Sequence, residues 1–310
     1  MAAPDDDRFD AATYGRSFAD VYDAWYPADD ATAAAVDAVA LLAGPDGSVL
    51  ELGVGTGRLA LPLAARGLRV TGVDASIAML DILADKDPGG TVDRVLADIG
   101  DPDGTHPALP ATDATTSDMP ATDTATDPSL PPRRSMSTST GASPTGTWSM
   151  GAWPTGPFDV VLAACNLVCN LTDAQLQAAC IRGAADRLTP GGHLVVEAFE
   201  PAPLVAGPQL AASEVRGDAV VLIATDTDPA TGVIVGNHVE LRDGEPVRLR
   251  PWSIRAVAPA EIDRWATDAG LELVSRTAGW VTDDRNSEGA STNGLVATYH
   301  KPTAPVRSSS

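Results

Sequence analysis

Two carboxylates flank a glycine loop in the stretch Val49 to Leu83. Glu51 stands two residues before Gly53, and Gly53, Gly55 and Gly57 alternate with Val54 and Thr56. Asp74 closes the apolar run Leu68 to Val73 that follows. Glycines at that spacing let the chain turn tightly and let a ligand come close to the backbone. A carboxylate beside such a loop repels a pyrophosphate and attracts an ammonium group. A second one at Asp74 can accept hydrogen bonds from the hydroxyls of a ribose. The dinucleotide fingerprint G-x-G-x-x-G fails here, because Arg58 stands where its third glycine belongs. The chemistry these residues select is recognition of a positively charged nucleoside.

The elements that must hold them follow from the apolar pattern. Val49, Leu50 and Leu52 read as a buried strand, Leu59 and Leu63 as the inward face of a helix, and Leu68 to Val73 as a second strand. This is one β-α-β unit, with its ligand expected at the carboxyl ends of the strands and its helix N-terminus favouring electron-rich groups. Ser76 can cap a following helix that begins at Ile77, and Val92 to Ala97 gives a third strand ending at Asp98-Ile99.

In strand-loop-helix-strand order, E-L-G-V-G-T-G with a downstream V-D resembles motifs I and II of the class I S-adenosylmethionine (SAM)-dependent methyltransferases. A second match is FDVVLAAC, the helix Gln175 to Leu188 capped by Thr172 or Asp173, and the turn Pro190-Gly191-Gly192 into the strand His193 to Phe199. The N-L-x-x-N-L pattern after FDVVLAAC is similar to a bacterial small-molecule and peptide-tailoring subgroup. The resemblance implies an α/β fold, a Rossmann-like sheet with helices on both faces. It implies SAM as cofactor, S-adenosylhomocysteine as product, and transfer of a methyl group to a nitrogen or oxygen of a small molecule or peptide. Cofactor contacts are then expected from Glu51, Gly53, Gly55, Gly57, Asp74, Ala75, Met79, Asp98, Ile99, Ala164 and Tyr22. Met79 would lie on the adenine, Asp98 would accept from its amino group, and the strand end Ala164-Cys165-Asn166 would face cofactor and substrate. No Asn-Pro-Pro-Tyr or Asp-Pro-Pro-Tyr follows that strand, which counts against the amino-methyltransferases of DNA bases.

Composition bounds the partners. The 310-residue chain carries a formal net charge of −21. Such an excess of acid opposes binding to nucleic acid or to an anionic membrane surface. The three cysteines form no C-x-x-C pair and no histidine lies near them, so packed thiols are expected and no metal site. The start MAAPDDD lacks the basic and apolar regions of a signal peptide and no apolar run reaches membrane-spanning length, so a cytoplasmic protein is expected, as monomer or homodimer.

The flanking segments carry the acceptor candidates. Residues 1–45 read as a helical cap: Tyr14, Phe18, Tyr22, Trp25 and Tyr26 recur at helical spacing up to Pro27, and an alanine-rich helix runs from Asp30 to Leu42. The methyltransferase domain then spans 46–100 and 157–310. Residues 101–156 read as a disordered low-complexity insert of Thr, Asp, Pro, Ser and Gly, with Trp148 and Trp153 able to pin it to the body. After an irregular connector, Glu200 to Gly217, strand-like runs over about 218–256 read as an antiparallel β lid across the mouth of the sheet. A helix from Pro259 to Ala269 and closing strands, Leu271 to Ala278 and Gly294 to Tyr299, complete the edge.

Methyl transfer needs orientation and exclusion of water, and a base only where the acceptor holds its proton at neutral pH. His238 in the lid is the candidate base, Arg255 a candidate for an acceptor carboxylate, and Tyr14 a hydroxyl near the acceptor; His106, His193 and His300 are set aside by position. With no base evident otherwise, nitrogen is favoured over oxygen. Two other readings stay open: an NAD(P)-dependent oxidoreductase on the same sheet, and a SAM-binding module without catalysis.

Overall fold

The computed structural model describes residues 9–105, 149–199, 203–281 and 294–303. The chain enters through helices α1 (Thr13–Phe18), α2 (Tyr22–Trp25) and α3 (Asp30–Ala43). The single aromatic helix expected there is broken, and the backbone shows why. A continuous helix would send the Val21 amide to the Ser17 carbonyl; Val21 N instead donates to Phe18 O at 3.0 Å. The Ser17 carbonyl accepts from the guanidinium of Arg250 at 2.6 Å. Helix α3 starts on a reciprocal capping box, in which Asp29 accepts from the Thr32 amide (2.8 Å) and Thr32 Oγ1 accepts from the Asp29 amide (3.3 Å).

Next come β1 (Ser48–Leu52), α4 (Ala60–Ala65), β2 (Arg69–Asp74), α5 (Ile77–Lys86), β3 (Val92–Leu96) and a short β4 (Ser149–Met150). The sequence predicts this run closely from β1 to β3, including Ser76 as the cap of α5, whereas β4 falls in the segment read as a disordered insert and pairs with the end of β3. The chain then crosses to the other side of β1 with β5 (Phe158–Ala163), a 3₁₀ turn over Leu167–Asn170, α6 (Ala174–Asp186) and β6 (Leu188–Phe199). Asp173, rather than Thr172, caps α6, accepting from Gln175 N at 2.6 Å. The expected Pro-Gly-Gly turn lies inside β6 as a bulge: Phe158 pairs with Leu188 and Val160 with His193, so residues 189–192 are looped out of register.

A four-stranded antiparallel sheet follows: β7 (Gly207–Val215), β8 (Ala219–Asp228), β9 (Val233–Arg242) and β10 (Arg248–Arg255), in spatial order β10-β9-β8-β7. Strand β7 corrects the expected irregular connector. Its residues are almost all exposed, so its order comes from the ladder to β8 and leaves no alternating apolar trace in the sequence. The chain ends with α7 (Pro259–Asp268), β11 (Glu272–Ala278) and β12 (Gly294–His300).

The main sheet runs β11-β12-β6-β5-β1-β2-β3-β4, parallel from β6 to β4, with β11 and β12 antiparallel at one edge. All five residues of β1 are buried, as expected of a strand covered on both faces. Leu50 and Leu52 pack on one face with Val161, Ile181 and Ile262; Val49 packs on the other with Val36, Leu63, Leu80 and Val160. Because the connections leave β1 in opposite directions, a crevice opens between the carboxyl ends of β1 and β5.

The ends of the predicted insert are pinned. Trp153 is buried, its Nε1 donates to the Asp98 carbonyl at 2.9 Å, and the Arg187 guanidinium lies 5.2 Å from its ring. Residues 106–148, Trp148 among them, lie outside the described residues. Among the described residues no helix is long and apolar enough to cross a membrane, and no group of three or more His, Cys, Asp or Glu could hold a metal ion.

Candidate active site

At the carboxyl end of β1 the glycine loop takes left-handed backbone, with φ of 63° at Gly53 and 53° at Gly55. The left-handed conformation selects glycine at Gly53, where a Cβ would also press on the Leu167 side chain, 2.2 Å from its Cδ1. Asp74, at the end of β2, fixes the loop: one carboxylate oxygen accepts from the Gly55 amide and the other from the Ser76 amide, each at 2.8 Å. Burial pushes its carboxyl up to about 6, against the pull of these backbone donors.

Glu51 lies one layer deeper, and its Oε2 has no hydrogen-bond partner. Burial pushes its carboxyl up to about 8; the Arg58 guanidinium works against that rise and Asp74 adds to it. A buried acceptor left unsatisfied in this way is costly until a positive group arrives.

Above the crevice is a cavity of about 310 Å³. Gly53, Gly55, Asp74, Ala75, Met79 and Ile99 form one wall, and Ala164, Tyr14 and Tyr22 also line it. Glu51, Gly57 and Asp98, expected beside them, do not. A Cβ on Gly57 would face Leu83 and Leu61, and Asp98 Oδ1 accepts from the Gly100 amide at 2.7 Å. The cap reaches the cavity because α1 sits directly on the start of α5: a Cβ on Gly15 would lie 2.3 Å from Ser76 Cβ. Tyr14 stacks on Phe18, whose ring is fully buried, with centroids 4.6 Å apart.

The facing wall comes from the end of β5 and from β10, the one strand of the predicted 218–256 lid that lines the cavity. Cys165 and Asn166 are consecutive non-glycine residues with φ of 57° and 60°. Asn tolerates this conformation and Cys does not, at a cost of about 1–2 kcal/mol. The Cys165 amide is held there by Glu197 Oε2 at 2.7 Å. Asn170, Phe199, Ser253 and Ile254 complete that wall, and Asp10 and Thr13 stand at its cap side. The sequence pointed to Cys165 and Asn166 by their place at a strand end. It carried Asn170 within the N-L-x-x-N-L pattern, and it held no signal for Asp10, Thr13, Phe199, Ser253 or Ile254, which arrive through tertiary packing.

Burial pushes the Tyr14 and Tyr22 phenols well above their ordinary range and the Cys165 thiol up to about 11, so all three are neutral at pH 7. Arg58 lies behind them, donating to Cys165 Sγ at 2.6 Å.

His238 and Arg255 do not line this cavity. The His238 ring is packed among Phe18, Trp25 and Trp252, its Nδ1 accepts from Trp252 Nε1 at 2.9 Å, and burial with nearby Arg250 lowers its pKa. It lines a separate cleft with Trp25, Tyr26 and Glu214. Arg255 donates to Gln177 Oε1 (2.6 Å), Glu261 Oε1 (2.9 Å) and the Thr231 carbonyl (3.2 Å). Those contacts brace β10 against α6 and α7 and leave the guanidinium turned from any acceptor.

Residues 49–118 match the methyltransferase-domain family. The solved structure of the CcbJ methyltransferase from Streptomyces caelestis is 32% identical over 95% of this chain and 100% of that one, with a TM-score of 0.70. The chain belongs to the SAM-dependent methyltransferases. SAM-bound CalS10, an amino pentose methyltransferase from Micromonospora echinaspora, shares the fold at 19% identity over 91% of this chain and 96% of that one, TM-score 0.58. So does the sugar N-methyltransferase KedS8 from Streptoalloteichus sp., at 16% identity over 98% and 99%, TM-score 0.57. No curated protein sequence matches the chain. The oxidoreductase and non-catalytic readings fall with this assignment. The methyltransferase's own residues fit SAM: a partnerless buried carboxylate oxygen behind the loop, and a loop at Gly55 where a Cβ would meet only the Gly53 carbonyl, at 3.9 Å.

Proposed function

We propose that this methyltransferase transfers a methyl group to an amine nitrogen of a small, polar acceptor. The observation that carries the reading is the state of the ionisable groups around the cavity. Among the described lining residues, the phenols and thiol are neutral. Asp74 is engaged with backbone amides, and Asp10 accepts from the Arg16 guanidinium at 2.8 Å. None of these is a free base for an alcohol, whereas an amine with a neutral fraction attacks with its own lone pair and afterwards loses its proton to water. CalS10, an amino pentose methyltransferase, and KedS8, a sugar N-methyltransferase, share the fold and are in line with that choice.

The sulfonium of SAM supplies the electrophilic methyl group. In this reading Asp74 accepts from the ribose hydroxyls, Ala75, Met79 and Ile99 border the adenine, and Glu51 answers the ammonium from below the loop. Tyr14 and Tyr22 bring neutral hydroxyls to the acceptor and, with Phe199 and Ile254, exclude water from the reacting atoms. The test is labelled SAM offered with acceptor pairs that differ only in an amine or a hydroxyl at one carbon, a 2-amino sugar and its parent sugar among them. Label on nitrogen supports the assignment, and label on oxygen with the amine inert overturns it.

A further inference from the structure

The turn between α1 and α2 is fastened to the lid by charge. Arg250 on β10 is 2% exposed. Its Nη1 donates to the Ser17 carbonyl and to Asp20 Oδ1, both at 2.6 Å, and its Nη2 donates to Asp20 Oδ2 and Glu240 Oε2, both at 3.1 Å. Arg248, two residues away on the same strand, donates to Asp20 Oδ2 at 2.7 Å. The Arg250 guanidinium also lies 5.4 Å from the Trp25 ring. One side chain thus ends α1, holds the turn and stacks on α2.

The residues on either side of this fastening belong to the cavity. Tyr14 and Tyr22 come from the two helices it joins, and Ser253 and Ile254 come from the strand that carries Arg250. The cap is tied on its other flank to the glycine loop: Thr56 Oγ1 donates to Asp23 Oδ1 at 2.6 Å, and Lys86 pairs with Asp23. The two ties differ in kind. The Lys86 and Asp23 side chains are 34% and 48% exposed, whereas the Arg250 side chain is 3% exposed and forks onto an Asp20 that is itself 48% exposed. A buried guanidinium that also holds Glu240 and the Ser17 carbonyl is fixed in place and offers Asp20 a rigid fork, whereas an exposed lysine pair contributes little.

We infer that Asp20 and Arg250 are positioning residues that make helices α1–α2 and strand β10 close over the cavity as one body, and so set how long the nucleoside stays bound. This rests on cofactor binding alone and holds for a nitrogen or an oxygen acceptor. Asp20→Asn is the cleaner variant, because Glu240 still neutralises the buried guanidinium and the fold is kept. Arg250→Lys keeps the charge but cannot reach Asp20, Glu240 and the Ser17 carbonyl together.

The experiment is hydrogen exchange by mass spectrometry on the full chain with and without S-adenosylhomocysteine, with its dissociation rate by stopped flow. In the parent protein the ligand should slow exchange over residues 13–25 and 248–255 together. In Asp20→Asn it should still protect the glycine loop while that joint protection is lost, and dissociation should speed about tenfold. Arg250→Lys should fall between the two. A merely structural pair would lower protection equally with and without ligand. The inference is overturned if the two segments respond independently in the parent, or if both variants release the ligand within about twofold of it. Should Asp20→Asn lose its circular dichroism, Arg250→Lys decides by the same readouts.

Discussion

The cofactor wall of the cavity takes Gly53, Gly55, Asp74, Ala75, Met79 and Ile99 from one unbroken run of chain, while the facing wall draws on α1, α2, the end of β5 and β10. On the first wall the strands and helices themselves place the groups, and its electrostatics are unfinished: Glu51 is buried with an idle oxygen. On the second, placement depends on long-range braces, Arg250 to Asp20 and Arg255 to Gln177 and Glu261, its phenols and thiol are neutral, and its Asp10 is already paired with Arg16. A wall made of contiguous elements can be tuned to one ligand that does not change. A wall assembled from remote pieces can be altered in its acceptor without disturbing the nucleoside.

If that division is real, changes on the two walls must separate binding from turnover. Asp74→Ala should have the largest effect, since it removes both the ribose acceptor and the tie to the Gly55 amide. We expect S-adenosylhomocysteine affinity to drop more than about 100-fold by calorimetry, the loss of two charge-assisted hydrogen bonds. Gly15→Val drives a side chain into Ser76, lifts the cap and should weaken the same affinity about tenfold, measured the same way. Equal affinity in that variant would detach the cap from the nucleoside.

Glu51 offers a pH test. Its folded pKa of about 8 lies above the ordinary 4.5, so the ligand-free protein binds more protons folded than unfolded and loses stability as pH rises from 4.5 to 8. Binding an ammonium must expel that proton. Affinity for S-adenosylhomocysteine should therefore climb about tenfold per pH unit up to about 8, then fall as the ligand's own amine deprotonates. Glu51→Gln should flatten both the melting-temperature slope and the affinity profile. Tyr14→Phe, on the other wall, should lower kcat/KM for the acceptor about tenfold with S-adenosylhomocysteine affinity within about threefold. The smallest effect belongs to His238→Asn, which should change kcat less than about threefold and leave its pH profile in place, because the ring lies outside the cavity.

The sequence made the cofactor half readable because local rules decide it. Glycine spacing, Ser76 as a cap and the apolar run of β1 each act within a few residues of the groups they place. The break between α1 and α2 was hidden, since it depends on a guanidinium arriving from β10, far along the chain. Strand β7 was hidden because its side chains face water and only its backbone pairs. His238 looked free in a lid strand, and neither the Trp252 donor nor the Phe18 ring is adjacent in sequence. Cys165 could not announce its left-handed backbone, which Glu197 imposes from β6.

Trp153, which returns the chain to the body, has a use beyond anchoring. A Cβ on Gly104 would come within 2.8 Å of the Ala152 amide, so departure and return are neighbours, and Arg187 donates both to the Pro102 carbonyl (2.6 Å) and to the Pro154 carbonyl (3.0 Å). The two ends form a closed doorway at the β3–β4 edge, remote from the lid. Excising residues 106–148 and joining the stumps through a short glycine-serine turn should leave nucleoside affinity unchanged, which makes this position a graft point for a fluorescent or affinity module.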